Sequence, residues 1–150
     1  MFKKTTIIFL IIISFIFFVN DLGLAYGVKP LTLSLTGSPG DSIPFELKLT
    51  PAGREEIVNL NLYNAVQDIR GSLKFVEKTE ENNNIFDWIN FSDSRIIIPP
   101  DREVLIRGTV DIPYDAAGSY TVILMIEPEK KDGEVGVIMQ VRYAVRLDIF

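Results

Sequence analysis

The fold is decided near the C-terminus, where residues 119–149 read SYTVILMIEPEKKDGEVGVIMQVRYAVRLDI. Apolar side chains fall on both faces between Tyr120 and Ile126, a pattern typical of a central strand that is covered on both sides. The Asp132-Gly133 pair that follows is a strong signal for a hairpin turn. Residues 137–149 then alternate in the way of a strand with one buried face. The segment therefore predicts two long antiparallel strands.

Shorter segments with the same two-residue period fill the rest of the chain after Gly27, and turn-forming residues separate them. No stretch keeps a helical apolar period over about twelve residues, so the pattern predicts no long helix. The predicted strands cover residues 31–36, 45–50, 58–63, 69–76, 85–91, 95–98 and 104–112. With the two C-terminal strands they predict an all-β, immunoglobulin-like antiparallel β-sandwich of roughly seven to nine strands.

A tyrosine at the start of the penultimate strand supports this fold. Tyr120 directly follows a corner, Asp115-Ala-Ala-Gly-Ser119, that contains a glycine. In immunoglobulin-like domains a tyrosine at this position turns its hydroxyl back to the backbone of the corner. We therefore expect a hydrogen bond from the Tyr120 hydroxyl to a main-chain group a few residues upstream. Because the chain has no Cys, the prediction is for the disulfide-free form of this sandwich.

The first 27 residues have the composition of a secretory signal peptide. Lys3 and Lys4 form a basic start, residues 7–19 are apolar apart from one Ser, and two small-x-small patterns follow. These patterns are Gly23-Leu24-Ala25 and Ala25-Tyr26-Gly27. As a helix the apolar run covers about 20 Å, less than the roughly 30 Å hydrocarbon core of a membrane. We therefore predict a cleaved leader over residues 1–27, one domain over residues 28–150 and no stable membrane span after cleavage.

The composition removes several classes of function. The chain has 150 residues, no Cys and no His, which excludes thiolate nucleophiles, imidazole bases and the commonest ligands of zinc. Its formal charge is −5, whereas nucleic-acid-binding proteins normally present a basic patch or stripe. We therefore expect no nucleic-acid partner, no cofactor and no metal centre.

Only carboxylates, hydroxyls, Lys and Tyr remain for catalysis, and we expect a protein that is not an enzyme. Glycoside hydrolysis needs two carboxyl groups in a cleft, but the close carboxylate pairs of this chain fall in predicted turns or loops. These pairs are Glu55-Glu56, Glu80-Glu81 and Asp132 with Glu134. A Ca²⁺ site would require the fold to gather three further acids at one loop end, namely Asp93, Asp101 and Asp115.

Several motifs together resemble immunoglobulin-like domains of the bacterial cell surface. Residues 45–53, FELKLTPAG, and residues 57–64, IVNLNLYN, have the pattern of a strand, a Pro-x-Gly turn and a strand that ends in Asn. Later matches are Trp88-Ile-Asn-Phe-Ser92, Ile98-Pro-Pro100, Val110-Asp-Ile-Pro113 and Gly118-Ser-Tyr120. Over most of residues 31–149 the pattern is similar to the N-terminal domains of pilus chaperones and of the WxL-interacting protein family, which is associated with peptidoglycan.

This resemblance implies a domain that binds a protein partner, and the last strand is its best candidate surface. If that strand lies at a sheet edge, its unpaired backbone groups accept a partner strand. The candidate partner-binding residues are Met139, Gln140, Arg142, Ala144 and Arg146. The alternative is that the strand is paired internally and that its arginines are charged residues that oppose aggregation. Trp88 and Phe91 are expected in the core rather than on a ligand platform.

Two functions follow from these observations. The first is an exported module that mediates protein–protein interaction in the cell envelope, with chaperone-like pairing at a strand edge as its mechanism. The second is a module that binds peptidoglycan or another cell-wall glycan, which exposed aromatic side chains on one sheet face would favour. Either function places the mature domain in the periplasm, at the cell surface or outside the cell.

Overall fold

The computed structural model describes residues 25–67, 69–77, 85–129 and 140–150, which form ten strands and a short 3-10 turn. The strands of the first half are β1 (Gly27–Lys29), β2 (Thr32–Leu35), β3 (Ser42–Thr50), β4 (Glu56–Gln67) and β5 (Leu73–Glu77). After the 3-10 turn (Phe86–Trp88) come β6 (Ile89–Phe91), β7 (Arg95–Ile98), β8 (Val104–Asp111), β9 (Tyr120–Pro128) and β10 (Tyr143–Ile149). No helix in these ranges is long and apolar enough to cross a membrane.

The strands form two sheets that pack face to face as a sandwich. The four-stranded sheet has the order β1-β3-β8-β6, and its pairs are antiparallel. The six-stranded sheet has the order β2-β10-β9-β4-β5, and β7 pairs with the first part of β4. The predicted immunoglobulin-like β-sandwich is confirmed, with one strand more than the expected range because the N-terminal segment forms two strands.

β9 is the central strand of the six-stranded sheet. It pairs antiparallel with β10 on one side and with β4 on the other. Its inward side chains Val122, Leu124 and Ile126 are fully buried. On the outer face Ile123 and Met125 are only 5% and 8% exposed. The central position predicted from apolar residues on both faces is therefore confirmed.

The N-terminal segment divides its two strands between the two sheets. β1 pairs with β3, and the chain then crosses at Lys29-Pro30, whose peptide bond is cis. In the other sheet β2 runs parallel to β10, with Thr32 opposite Arg146. The sequence predicted the second of these strands only, because three residues are too few to show an alternation. Tyr26 and Gly27, which the sequence assigned to the leader, belong to the described domain.

Two other predicted strands differ from the structure at their start. The strand predicted over residues 69–76 begins at Leu73, because Ile69 is fully exposed in the turn between β4 and β5 and Gly71 takes a φ of +82° there. Residues 86–88 within the strand predicted over residues 85–91 form the 3-10 turn. In both places a turn that reverses or redirects the chain overrides the local strand pattern.

The core fills the space between the two sheets. Leu47 and Leu49 of one sheet and Leu124 and Leu147 of the other have no exposed surface. Each such side chain contributes about 1.5–3 kcal/mol relative to an exposed position. Trp88 belongs to this core, as expected, and the half-buried Phe91 packs against it.

The corner before β9 has the geometry predicted for Tyr120. The Tyr120 hydroxyl donates a hydrogen bond to the Ala117 carbonyl at 3.0 Å, and its ring packs edge-on against Trp88 with centroids 4.7 Å apart. Gly118 has a φ of +95°, which a residue with a side chain rarely adopts. The tyrosine therefore fixes the corner to the core, and the prediction is confirmed.

We expect Tyr120→Phe to lower the free energy of unfolding by about 1 kcal/mol, because it removes the hydroxyl bond and keeps the ring. Urea denaturation followed by Trp88 fluorescence measures the effect. Tyr114→Phe is the control, because Tyr114 is 88% exposed. Equal stability of the two variants would contradict a structural role for the Tyr120 hydroxyl.

Candidate functional site

β10 carries two of the five residues that the sequence assigned to partner binding, Ala144 and Arg146, and its two halves are paired differently. Residues 146–149 pair with β9 on one side and with β2 on the other. Residues 143–145 pair with β9, and no described residue pairs with their other side. The second half of β10 is therefore internal to the sheet. The side of residues 143–145 that faces away from β9 is called the open edge below.

The ladder with β2 fixes which backbone groups face the open edge. The Arg146 amide donates to the Leu31 carbonyl at 2.9 Å, and the Phe150 amide donates to the Leu35 carbonyl at 2.9 Å. The even-numbered residues of β10 thus direct their backbone groups toward β2. Because this direction alternates along a strand, Ala144 directs its N–H and C=O to the same side, beyond the end of β2. Among the described residues, the donor and the acceptor of Ala144 at the open edge therefore have no partner strand.

Two arginines flank the open edge, and each holds a carboxylate of the same chain. Arg142 Nη1 lies 3.1 Å from Glu127 Oε1, and Arg146 Nη2 lies 2.6 Å from Asp148 Oδ2. Both arginine side chains are more than half exposed. A guanidinium has five N–H donors, so each arginine keeps donors for a further acceptor while its own ion pair is intact.

Asp148 is a buried acid that orients Arg146. Its carboxylate accepts hydrogen bonds from Arg146 Nε and from Thr121 Oγ1, the latter at 2.7 Å. The hydrogen bond from Arg146 holds the pKa of the Asp148 carboxyl below its ordinary value, against the opposing effect of burial. Arg146 stands opposite Ile123 in the ladder, so both side chains leave the sheet on its outer face.

Two tyrosines tie the N-terminal segment to the start of β10. The Tyr26 hydroxyl lies 3.1 Å from the Ile126 carbonyl and 3.0 Å from the Val141 carbonyl. The Tyr143 hydroxyl donates to the Tyr26 carbonyl at 2.6 Å, and the two rings meet edge to face at 5.1 Å. Burial raises the pKa of the Tyr26 phenol far above its usual range, so the hydroxyl stays protonated. The sequence missed this cluster because it assigned Tyr26 to the leader.

The structure brings three of the five predicted partner-binding residues to one place. Arg142, Ala144 and Arg146 are exposed along the outer side of the six-stranded sheet, and Ala144 stands opposite Met125. Gln140 is exposed just before them. Met139 lies outside the described residues. Assignment of these residues to a partner stays a prediction.

The carboxylates considered for catalysis or metal binding do not form a site in the described part of the chain. Glu56 is buried and pairs with Arg54, whereas Glu55 is exposed. Glu80, Glu81, Asp132 and Glu134 lie outside the described residues. Within residues 25–67, 69–77, 85–129 and 140–150 no three acidic side chains come together as a metal site, so Asp93, Asp101 and Asp115 are not gathered.

A cleft of about 490 Å³ opens on the four-stranded sheet where β6 ends. The rings of Phe45 and Phe91 line it, with centroids 6.0 Å apart and planes nearly perpendicular. Gly108 makes room for this ring pair, because a Cβ there would lie 2.5 Å from Phe45 Cζ. The rim is polar, with Arg107 Nε 3.1 Å from Glu46 Oε2. The cleft therefore combines an aromatic wall with charged groups at its mouth.

No protein-family model matches the chain, and no curated protein matches its sequence. Solved structures do match. The class 5 fimbriae chaperone CfaA superposes with a TM-score of 0.60 at 12% identity, over 83% of this chain and 55% of the chaperone. The chain shares its fold with pilus-chaperone domains. It spans about half the length of these chaperones.

Two further structures define how far this likeness reaches. A chain of the CsuC–CsuE chaperone–tip adhesion subunit complex from Csu pili of Acinetobacter baumannii has a TM-score of 0.59 at 15% identity, over 84% of this chain and 56% of that one. A family 123 glycoside hydrolase from Clostridium perfringens has a TM-score of 0.56 at 10% identity, over 84% of this chain and 26% of the enzyme. The resemblance to pilus chaperones is confirmed for the fold, and the fold by itself does not decide function.

We expect Asp148→Asn to destabilise the protein near neutral pH and to have little effect in acid. A carboxyl with a lowered folded-state pKa stabilises the fold above its unfolded pKa of about 3.9, and this contribution disappears as the pH falls through the folded-state value. Urea midpoints of both proteins between about pH 7 and pH 3 measure the difference. Asp115→Asn at an exposed position is the control. A stability difference that stays constant over this range would contradict the role of the Arg146–Asp148 pair.

Proposed function

We propose that the protein is an exported, non-enzymatic module that binds an envelope or surface protein by strand pairing at the open edge of β10. The observation that carries the proposal is that β10 pairs on one side only at residues 143–145, within the described part of the chain. A partner strand added there would continue the six-stranded sheet. Backbone hydrogen bonds would supply affinity, and the flanking side chains would supply selectivity.

The side chains around the open edge fit this use. Ala144 is small, so a partner backbone can approach closely at the point where the donor and the acceptor face outward. Arg142 and Arg146 lie two residues before and after it, at the spacing of alternate side chains on one face of a strand. An extended partner segment with acidic side chains at alternate positions would therefore meet both guanidinium groups.

The Tyr26–Tyr143 cluster supports the proposal because it holds the open edge in place. Tyr143 opens β10 and Val141 precedes it, and both are hydrogen-bonded to Tyr26. Ordering of an edge before binding lowers the entropy that association must overcome. The open edge is therefore already ordered before a partner strand binds.

The similar solved structures support the same class of function. They include a class 5 fimbriae chaperone and a chaperone–tip adhesion subunit pre-assembly complex. We propose by analogy that this domain also works in the envelope, after export directed by the predicted leader over residues 1–27. Its place would be the periplasm, the cell surface or the surrounding medium.

The open edge is tested by Ala144→Pro. Proline removes the N–H that faces the partner and leaves the ladder with β9 intact, because Ala144 does not bond toward β9. We expect capture of the envelope partner in cross-linking pull-downs to fall more than about tenfold, as the loss of a main-chain hydrogen bond and of strand geometry requires. Arg142→Glu with Arg146→Glu should reduce capture of the same polypeptide.

Ala144→Thr is the matched control, because it keeps the N–H and favours a strand. Urea midpoints establish that all variants are folded before they are compared. Equal capture by the native protein and by Ala144→Pro would overturn the open-edge mechanism. Capture of cell-wall glycan alone, unaffected by these variants, would favour the second candidate function.

That second candidate is a glycan-binding module, and the cleft beside β6 favours it. Aromatic rings with hydrogen-bonding groups at the rim are a common means of binding sugars. In this cleft Phe91 supplies an aromatic ring and Arg107 supplies hydrogen-bond donors. If the cleft binds peptidoglycan, Phe91→Ala and Arg107→Ala should each weaken binding of soluble peptidoglycan fragments in calorimetric titrations, whereas Ala144→Pro should not. No heat of binding with the native protein would exclude this candidate.

A further inference from the structure

The residues around the predicted leader boundary differ sharply in burial. Ala25 is exposed, whereas Tyr26 is only 3% exposed and lies within the core. Both the side chain and the main chain of Tyr26 are engaged, through its hydroxyl and through its carbonyl oxygen. Among the described residues, the buried core therefore begins at Tyr26.

Gly27, the next residue, is the first residue of strand β1. It stands opposite Thr50 in the ladder between β1 and β3. A Cβ at Gly27 would lie 2.4 Å from Thr50 Oγ1, so the close approach of the two strands depends on glycine at this position. The peptide bond between Gly27 and Val28 thus lies inside a sheet, and the bond between Ala25 and Tyr26 lies just outside it.

We propose that the leader is removed at the Ala25–Tyr26 bond, which makes Tyr26 the first residue of the mature protein. A signal peptidase of the exporting membrane would add water across this bond, leaving a carboxylate on Ala25 and an amino group on Tyr26. Gly23 and Ala25 then supply the small side chains that such a peptidase requires. The inference rests on the predicted leader and not on the strand-edge interaction.

The competing pattern, Ala25-Tyr26-Gly27, satisfies the same small-residue requirement. Its use would remove Tyr26 and Gly27 from the mature chain. The Tyr143 hydroxyl would lose its acceptor, and the Ile126 and Val141 carbonyls would lose the Tyr26 hydroxyl. Since both patterns meet the small-residue requirement of the peptidase, we choose between them by the folded domain, in which Tyr26 makes these contacts. Compared with the boundary predicted from sequence, the mature domain becomes residues 26–150.

The test is the amino terminus of the full chain after expression with its own leader in a bacterial host. Intact mass and amino-terminal sequencing of the exported protein should give Tyr26. A first residue of Val28 would overturn the proposed cleavage site but would still agree with the prediction of a cleaved leader. An uncleaved chain that begins at Met1 would overturn the prediction of a cleaved leader as well. Any other amino terminus would overturn the proposed cleavage site.

A matched pair of variants separates the two patterns without depending on the fold. Gly23→Leu places a bulky side chain in the proposed pattern only, and Gly27→Leu does so in the competing pattern only. Pulse–chase labelling should show precursor accumulation and loss of the Tyr26 terminus with Gly23→Leu. Processing of Gly27→Leu should proceed at the native rate even if its product folds poorly. The opposite result for the two variants would overturn the proposal.

Discussion

The structure depends on β9, whose backbone is paired on both sides and whose two faces are both apolar. Val122, Leu124 and Ile126 are fully buried in the core. The hydrogen-bonded ladders to β4 and β10 fix the neighbouring strands of the six-stranded sheet to β9. Because the outer face is also apolar, something must cover it. The strand registers place Arg146 and Tyr63 on either side of Ile123, and Arg146 forms an ion pair with Asp148 of its own strand. The arginines therefore belong to the architecture of the sheet as well as to the candidate site.

The open edge is a consequence of the way in which the N-terminal segment crosses between sheets. β1 remains with β3, so β2 reaches β10 only from Arg146 onward. Tyr26 then bridges the gap with its hydroxyl, which contacts the carbonyls of Ile126 and Val141. One segment thus closes the sandwich and fixes the position of residues 143–145, which no described residue pairs on the side away from β9. The candidate site and the buried position of Tyr26 both depend on this crossing.

The fold by itself does not specify the function of this protein. The same sandwich serves in pilus chaperones and in part of a glycoside hydrolase, so the functional argument rests on local features of this chain. Two surfaces stand out on opposite sheets: a backbone edge flanked by arginines, and an aromatic cleft with an ion pair at its mouth. The proposed ligands differ in chemistry, an extended peptide for the edge and a sugar for the cleft, and this difference makes the two proposed functions separable.

The sequence by itself determined the sandwich, the central place of β9 and the corner at Tyr120, because these follow from local alternation and from turn residues that act over a few positions. It also selected β10 as the candidate surface. Only the tertiary structure decided which half of β10 is paired on both sides, that Arg142 and Arg146 form ion pairs with Glu127 and Asp148, and that Tyr26 belongs to the core. These features join residues far apart in the chain, such as Tyr26 and Tyr143, and alternation along a strand with one apolar face, as in β10, does not show which of its backbone groups are paired.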